Sequence, residues 1–331
     1  MWGSNYPVPP LTTEHLMDCI REAACHVGGL DNWTFRFWKL LNFTTVDWLR
    51  RLLVLIEDQE APWPKDTTTA RAAFIRKPGT DEHDPLSFRI LSILAVLYRT
   101  WAKARLADLR PWIRSWATDD LFSDIEGYGA ADASYLSAWE VEECHLLQEH
   151  FSGAKVDLWK ACDRLDREVV VAVALRAGLP AKIGVAYLSF MQKLRYSNTL
   201  AVGLGADHVR DLSIPQGCPF SMAFLACVLL PWCRAMRACS VVPRVLADDL
   251  RIFAAGPDHT TLVTCALRRT FVFIEGIGGS VAVGPGKSSF FSSDPEARTA
   301  FENTQWGSAG ASRRISVVLD ERDLGSHADY T

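Results

Sequence analysis

The 331-residue chain has no surplus of positive charge: 35 Lys and Arg stand against 39 Asp and Glu, a net charge of −4. Taken alone, that balance argues mildly against a polyanionic partner. Its nine cysteines (19, 25, 144, 162, 218, 227, 233, 239 and 265) contain no CxxC pair and no even framework. A disulfide scaffold is therefore excluded, and reduced thiols in an intracellular protein, nuclear or cytoplasmic, are expected. A basic-then-apolar leader is missing at the N-terminus. No apolar run is long enough to span a bilayer: "PFSMAFLACVLLPWC", Pro219 to Cys233, is shorter than the roughly 20 residues required and is closed by Arg234, so it predicts a buried helix. Internal repeats and low-complexity segments are also lacking. What is present is ordinary globular composition, 49% apolar, with enough chain for one large domain or two smaller ones.

Charge is unevenly spread. Between Arg71 and Arg114 nine Lys or Arg face four acids. Such a block inside an acidic chain is either a phosphate-facing surface or a solvated helix face, and charge alone favours the second.

The first part reads as helical. "TTEHLMDCIREAACHVGG" starts at a Thr cap and stops at Gly28-Gly29, and "TTVDWLRRLLVLIED" repeats the pattern after Thr44. Ala72 to Ile75 is a short apolar run before the Lys77-Pro78-Gly79 turn. A long helix is predicted from about Ser87 to Leu109, ending before Pro111. "SDIEGYGAA" is loop, and Asp132 to His150 is an amphipathic helix with Asp132 as N-cap and an end near Gly153. Beyond it the pattern mixes strands with helices: "AKVDLW" as strand, Asp163–Ala177 and Ala181–Leu194 as helices, "NTLAVGL" and "HVRDLSI" as strands. A strand pair around Asp248-Asp249, a helix from His259 to Glu275, and short strands near Val281 and Ile315 complete it. The expected class is α+β, with helices on one face of a mostly antiparallel sheet.

The chemistry concentrates in "RVLADDLRIF", Arg244 to Phe253. Two adjacent aspartates between alternating apolar runs are costly unless compensated. A two-residue hairpin loop prefers Gly or Asn, so Asp-Asp there hints at function. The compensation expected is a divalent metal rather than a lysine. A two-metal site needs a further carboxylate from another strand, and Asp157 in "KVDLWKACDRL" qualifies. Asp163 suits an N-cap and Asp166 an exposed helix face. Between the acids, Pro215-Gln216-Gly217 form a tight turn before the buried helix, with backbone N–H groups left free at its N-terminus. A cap or a solvated turn is the commoner role for any one of these residues. The ordered set is more specific than its members.

In that order the motifs resemble reverse transcriptases, specifically those of non-LTR retrotransposons, from Arg71 to Gly325. "FIRKPGTDEHDPLSFRILSILAVLYRTWAK" is similar to the fingers segment, "VDLWKACD" to the first palm motif, "IPQGCPFS" to the templating turn, and "LADDL" to the catalytic hairpin. "VAVGPGKSS" is similar to the motif with a late lysine, and "RDLGSH" to the start of the primer grip. The wording of "PQGCPFSM" and "RDLGSH" is similar to elements of dinoflagellate genomes. The resemblance implies a right-hand polymerase: 1–70 an N-terminal helical extension, 71–154 fingers, 155–325 palm with a fingers-type insertion at about 178–213, and 326–331 a truncated start of the thumb or connection.

It also implies roles. Asp157, Asp248 and Asp249, with the Leu158 carbonyl, would hold two Mg²⁺ ions, Mn²⁺ being the alternative. Lys77 and Arg89 would grip the triphosphate. Gln216 and Gly217 would lie near the template and incoming base, and Lys287 would protonate the leaving pyrophosphate. Partners would be an RNA template, a DNA primer and deoxynucleoside triphosphates, with no membrane involved. Three departures stand out. Leu246 takes the place of an aromatic that supports the primer end. Cys162 replaces the bulky Phe or Tyr that rejects a ribose 2′-OH. The chain stops soon after "RDLGSH", so a full thumb is not expected, nor is an endonuclease or RNase H region, as in a retrotransposon-derived fragment. Two other readings stay open: a catalytically inactive polymerase-fold scaffold that binds nucleic acid, and an RNA-dependent RNA polymerase, against which ADD rather than GDD argues.

Other clusters carry less. His15, Cys19, Cys25 and His26 share a predicted helix without standard zinc spacing, and Cys144-His145 is incidental. The aromatics of "DNWTFRFWKLLNF" are either base-stacking platforms or core, and their helical spacing favours core. Trp101 and Trp112, flanked by basic residues, are the better candidates for nucleic-acid contact.

Overall fold

The computed structural model describes residues 5–24, 27–77, 79, 81, 83–84, 87–200, 203–284, 286–307, 314–323 and 326–330. In chain order its elements are α1 (Thr13–Glu22), α2 (Phe35–Trp38), α3 (Phe43–Glu57), β1 (Thr69–Arg76), β2 (Phe88–Leu94), α4 (Val96–Asp108), α5 (Arg110–Trp116), α6 (Ala130–Leu147), β3 (Phe151–Asp157), α7 (Ala161–Arg164), α8 (Arg167–Arg176) and α9 (Ala181–Lys193). They continue with β4 (Arg195–Leu200), β5 (Gly203–Val209), α10 (Ser221–Arg237), β6 (Val242–Leu246), β7 (Asp249–Ala255), α11 (His259–Gly276), β8 (Ser289–Ser292), α12 (Pro295–Asn303), β9 (Ser316–Val317), β10 (Asp320–Asp323) and β11 (Ser326–Asp329). The class is α+β. Two compact units form, Met1–Ser115 with Asp166–Ser221, and Trp116–Leu165 with Met222–Thr331.

In the first unit α1 begins where the sequence places it, because Thr12 Oγ1 accepts from the His15 N–H at 3.1 Å. It ends at Glu22, before the Gly28-Gly29 stop. Asn42, not a threonine, caps α3. The predicted Ser87–Leu109 helix is half wrong. Phe88–Leu94 is a strand, paired antiparallel with β1 from Ala70↔Leu94 to Arg76↔Phe88, and Ala95 turns the chain into α4. The reason is cross-strand: the alternation in "FRILSIL" suits a half-buried ladder once β1 is available to pair with it. The sheet order is β2-β1-β4-β5, with β4 parallel to β1.

The second predicted strand of that region, "HVRDLSI", stops at Val209. Arg167 explains this, because its buried guanidinium donates to the carbonyls of Met191, Arg210, Leu212 and Ser213, which are then lost to a ladder. The predicted helix Asp163–Ala177 is broken at Leu165 into α7 and α8. Asp166 caps the second piece by accepting from the Glu168 N–H at 2.8 Å, so the cap is Asp166 and not Asp163. The core holds Trp63, Tyr98, Trp101, Phe190 and Phe220, with Tyr98 stacked on Phe190 at 3.7 Å between centroids. Trp101 donates to Glu57 at 2.7 Å and Trp112 to the Ala177 carbonyl at 2.9 Å, both indoles being buried. The expectation that these two tryptophans meet nucleic acid is thereby overturned.

The second unit is built on a five-stranded sheet, β6-β7-β3-β8-β9, antiparallel except for β8–β9. Helix α11 packs on β3 and β7. At the sheet centre Gly153 is required by close approach: a Cβ there would lie 2.1 Å from Phe291 Cζ and 2.6 Å from the Ile252 carbonyl oxygen. Helix α6 starts at Ala130, and Asp132 is its third residue, taking the Gly129 N–H at 2.8 Å rather than serving as the cap. Val281, expected in a strand, makes only an isolated bridge to Leu158, and the strand of this region is β8. No helix among the described residues is long and apolar enough to cross a membrane.

Candidate active site

The hairpin of β6 and β7 closes differently from the expectation. Leu246 pairs with Asp249, so the two-residue turn is Ala247-Asp248 and Asp249 already belongs to the strand. The left-handed backbone falls on Ala247, at φ 58°. A non-glycine residue in that region costs roughly 1 kcal/mol, offset here by the Ala247 N–H donating to Ser123 Oγ at 2.6 Å. Leu246 is half-buried and packs against the buried pair Phe122 and Ala133.

One strand away, β3 runs antiparallel to β7 in a register that sets Asp157 opposite Asp249. Opposed residues on neighbouring strands share a face, and like charges there repel. Asp248, exposed, precedes them in the turn. Lys287 answers part of the charge, its ammonium lying 2.8 Å from Asp157 Oδ2. The segment that carries Lys287 also fixes Asp157's backbone: Asp157 N–H donates to Ser288 Oγ at 3.0 Å, and its carbonyl accepts from Ala282 N–H at 2.8 Å. Leu158, buried, continues this contact through its bridge to Val281.

Acceptor-only carboxylate oxygens are the ligands of hard divalent cations, and the lysine ammonium at Asp157 is a cation already standing at this strand end. Donor type and ladder placement fit such an ion. Among the described residues, however, no three His, Cys, Asp or Glu side chains are gathered as a metal-binding group.

Cys162, half-buried on α7, has its thiol pushed up to about 12, by burial first and then by the carboxylates of Asp248 and Asp163. It is therefore a neutral side chain near the hairpin rather than a nucleophile.

Sequence reasoning missed what supports the hairpin. Arg244 on β6 and Arg251 on β7 converge on Glu140 of α6, Arg251 at 2.8 Å. Arg251 is fully buried, its guanidinium 5.0 Å from the Phe253 ring and 5.1 Å from the Phe291 ring. The signal was there as two arginines in apolar strands, which need a buried acid, but nothing local says that the acid is Glu140.

In the first unit Arg89 lies on β2, Lys77 follows β1 beside it, and the Pro-Gln-Gly turn bonds to β2. Arg89 stands opposite Ile75, and Lys77, whose N–H donates to the Ser87 carbonyl at 2.9 Å, continues the alternation onto the same face. The Pro215-Gln216-Gly217 turn docks at the other end of this strand: the Ser92 N–H donates to the Gln216 carbonyl at 2.7 Å. Gly217 has φ 113°, and a Cβ there would lie 2.5 Å from the Ser92 oxygen, so only glycine fits. Of the histidine–cysteine cluster, Cys19 is buried and His15 Nδ1 lies 3.4 Å from Asp108, while Cys25 and His26 lie outside the described residues. Cys144 is core, and His145 packs edge-on to Phe151.

No family model matches the chain. It is similar to a curated protein described as a probable RNA-directed DNA polymerase from transposon BS of Drosophila melanogaster, 21% identical over 217 residues. The match covers 64% of this chain and 24% of the relative, so the chain spans about a quarter of that protein's length. A distant, reverse-transcriptase-like relationship is supported. Nothing in the match bears on dinoflagellate elements.

Proposed function

We propose that this chain is the fingers and palm of an RNA-directed DNA polymerase, derived from a retrotransposon, that extends a DNA primer along an RNA template with deoxynucleoside triphosphates. The observation that carries the reading is the register Asp157↔Asp249 with Asp248 in the adjoining turn. Similarity to a transposon polymerase supports it.

In this reading Asp157, Asp248 and Asp249, with the Leu158 carbonyl, hold two Mg²⁺ ions, or Mn²⁺. When bound, such ions lower the pKa of an attacking 3′-hydroxyl and neutralise charge on the triphosphate. Lys77 and Arg89 bind phosphate oxygens, Arg89 through a fork suited to two of them. Gln216 and Gly217 carry the backbone against which the templating base and the incoming nucleotide pair. Leu246 supports the primer end with an aliphatic side chain. Lys287, released from Asp157, gives its proton to the leaving pyrophosphate. Cys162 is a smaller plate at the ribose than an aromatic, so rejection of ribonucleotides is weakened.

A second reading, an inactive nucleic-acid-binding scaffold, is favoured by the Lys287–Asp157 pair and by the lack of a gathered three-acid group among the described residues. Primer extension on an RNA template separates the two, with deoxy- and ribonucleotides supplied in different reactions and Asp248→Asn as control. Deoxynucleotide extension that vanishes in the control supports the polymerase, and the ribonucleotide reaction reports what Cys162 does. Folded protein that extends nothing is the scaffold.

A further inference from the structure

The aromatic residues that sequence periodicity assigns to the core between Asn32 and Phe43 divide in the structure. Phe35 and Trp38 are buried. Trp33, Phe37 and Phe43 are half exposed, and Trp48 on α3 is 65% exposed. Trp33 and Phe37 meet edge to face with centroids 6.3 Å apart. Scattered exposed apolar residues are normal, but several large exposed rings within one short stretch of chain, two of them in contact, are not.

Cations are interleaved with these rings. Arg36 and Lys39 are exposed on the same segment as Trp33 and Phe37. The Arg51 guanidinium lies 5.2 Å from the Trp48 ring centroid, which sets a phosphate-binding fork beside a flat apolar face. The one acid between Trp33 and Leu55, Asp47, is already engaged at 2.8 Å by both Arg50 and Arg51. The segment from Trp33 to Leu55 is thus net positive as well as aromatic. Helix α6 offers the opposite case: Tyr135 and Trp139 are equally exposed there, but among Asp132, Glu140, Glu142 and Glu143 and with no Lys or Arg.

We infer that two exposed aromatic–cation sets, Trp33 and Phe37 with Arg36 and Lys39, and Trp48 with Arg51 on α3, bind single-stranded RNA by stacking bases on the rings and pairing phosphates with the cations. Rings supply sequence-tolerant stacking while interspersed cations follow the backbone, the two features that single-strand binding surfaces combine. A protein partner would find apolar area here but no acidic complement is required of it, whereas a polyanion answers both the rings and the charge. The inference rests on the reading of nucleic acid as substrate and adds a place where the strand is held that none of the polymerase motifs includes.

The test is fluorescence anisotropy of a labelled oligouridine RNA with the full chain, without nucleotides, alongside sedimentation of the protein alone. Variants are Trp33→Ala with Phe37→Ala, Trp48→Ala, Arg36→Gln with Lys39→Gln, and Trp139→Ala as the exposed-tryptophan control, each checked for an unchanged circular dichroism spectrum and melt. Removing a ring is expected to weaken binding about tenfold. The double charge variant is expected to reduce the slope of log affinity against log salt by about 1.4, two phosphate contacts on a single strand. Trp139→Ala is expected to change nothing.

If wild-type protein binds and the folded ring and charge variants bind equally well, these sets are not the RNA site, and the polymerase reading is untouched. If wild-type protein binds no RNA, the polymerase reading fails and this inference with it. If the ring variants instead convert a dimer to a monomer with RNA affinity unchanged, the rings form an interface between copies and the inference is overturned.

Discussion

Lys287 holds Asp157 at 2.8 Å on the strand end where Asp157 faces Asp249 across the β3–β7 ladder. The ammonium lies beside the carboxylates proposed above to hold a divalent cation, so its removal tests whether such an ion can take its place. In Lys287→Met the two carboxylates face one another without it. The lysine is nearly half exposed, so the direct loss is expected to be under about 1 kcal/mol. Thermal melts with increasing Mg²⁺ should then stabilise the variant more than wild type. Equal Mg²⁺ shifts in both proteins would show that the strand end takes no divalent ion.

Glu140 serves two buried arginines at once. Glu140→Ala leaves Arg244 and Arg251 in the interior without their acid, and breaking a buried pair costs about 3–5 kcal/mol. Urea unfolding should show that loss, and the hairpin should be the first region to gain amide exchange. A loss below about 1 kcal/mol would mean that water reaches both guanidinium groups.

His259 gives the second unit a pH dependence. Its Nδ1 lies 2.6 Å from Ser152 Oγ and 3.2 Å from Thr260 Oγ1; its Nε2 lies 3.6 Å from Asp294, and its ring is 6.3 Å from that of His150. Burial lowers its pKa below the ordinary 6.5, Asp294 opposing and His150 adding to the shift. The unfolded chain therefore takes up a proton at a higher pH than the native one, and stability falls as pH drops through about 6.5. Melting temperature is expected to decline from pH 7.5 to 5.5, less steeply in His259→Gln. Identical slopes would assign the decline to other groups.

Gly217 tests the turn that docks on β2. Gly217→Ala adds a Cβ 2.5 Å from the Ser92 oxygen at φ 113°, and a loss of roughly 1–3 kcal/mol is expected. Gly79→Ala, at φ 72° near the ordinary left-handed region and with open space around its Cβ, serves as the comparison with a positive φ and no collision. If both lose the same amount, the close approach contributes nothing.

Much of the site was legible as local pattern. The order of Asp157, the Pro-Gln-Gly turn and Asp248-Asp249 is a property of the chain, and so are the Thr12 cap and the alternation of β7. Errors arose where two local patterns compete. "FRILSIL" continues a helical run as well as it alternates, and only pairing with β1 selects the strand. Asp163 and Asp166 are both plausible caps until the break at Leu165 shows which one starts a helix.

By itself the sequence determined which residues alternate, which cap, and the order in which Asp157, the Pro-Gln-Gly turn and Asp248-Asp249 follow one another, because these are read from the chain or from neighbours a few positions away. Only the tertiary structure decided that Asp157 meets Asp249 and Lys287, that Arg167 takes up the carbonyls of 210–213, and that Trp101 is core while Trp48 is surface. The physical reason is that helical spacing fixes which side chains share a face. Whether that face is buried, and which charge neutralises which, depends on elements far away in the chain that pack against it.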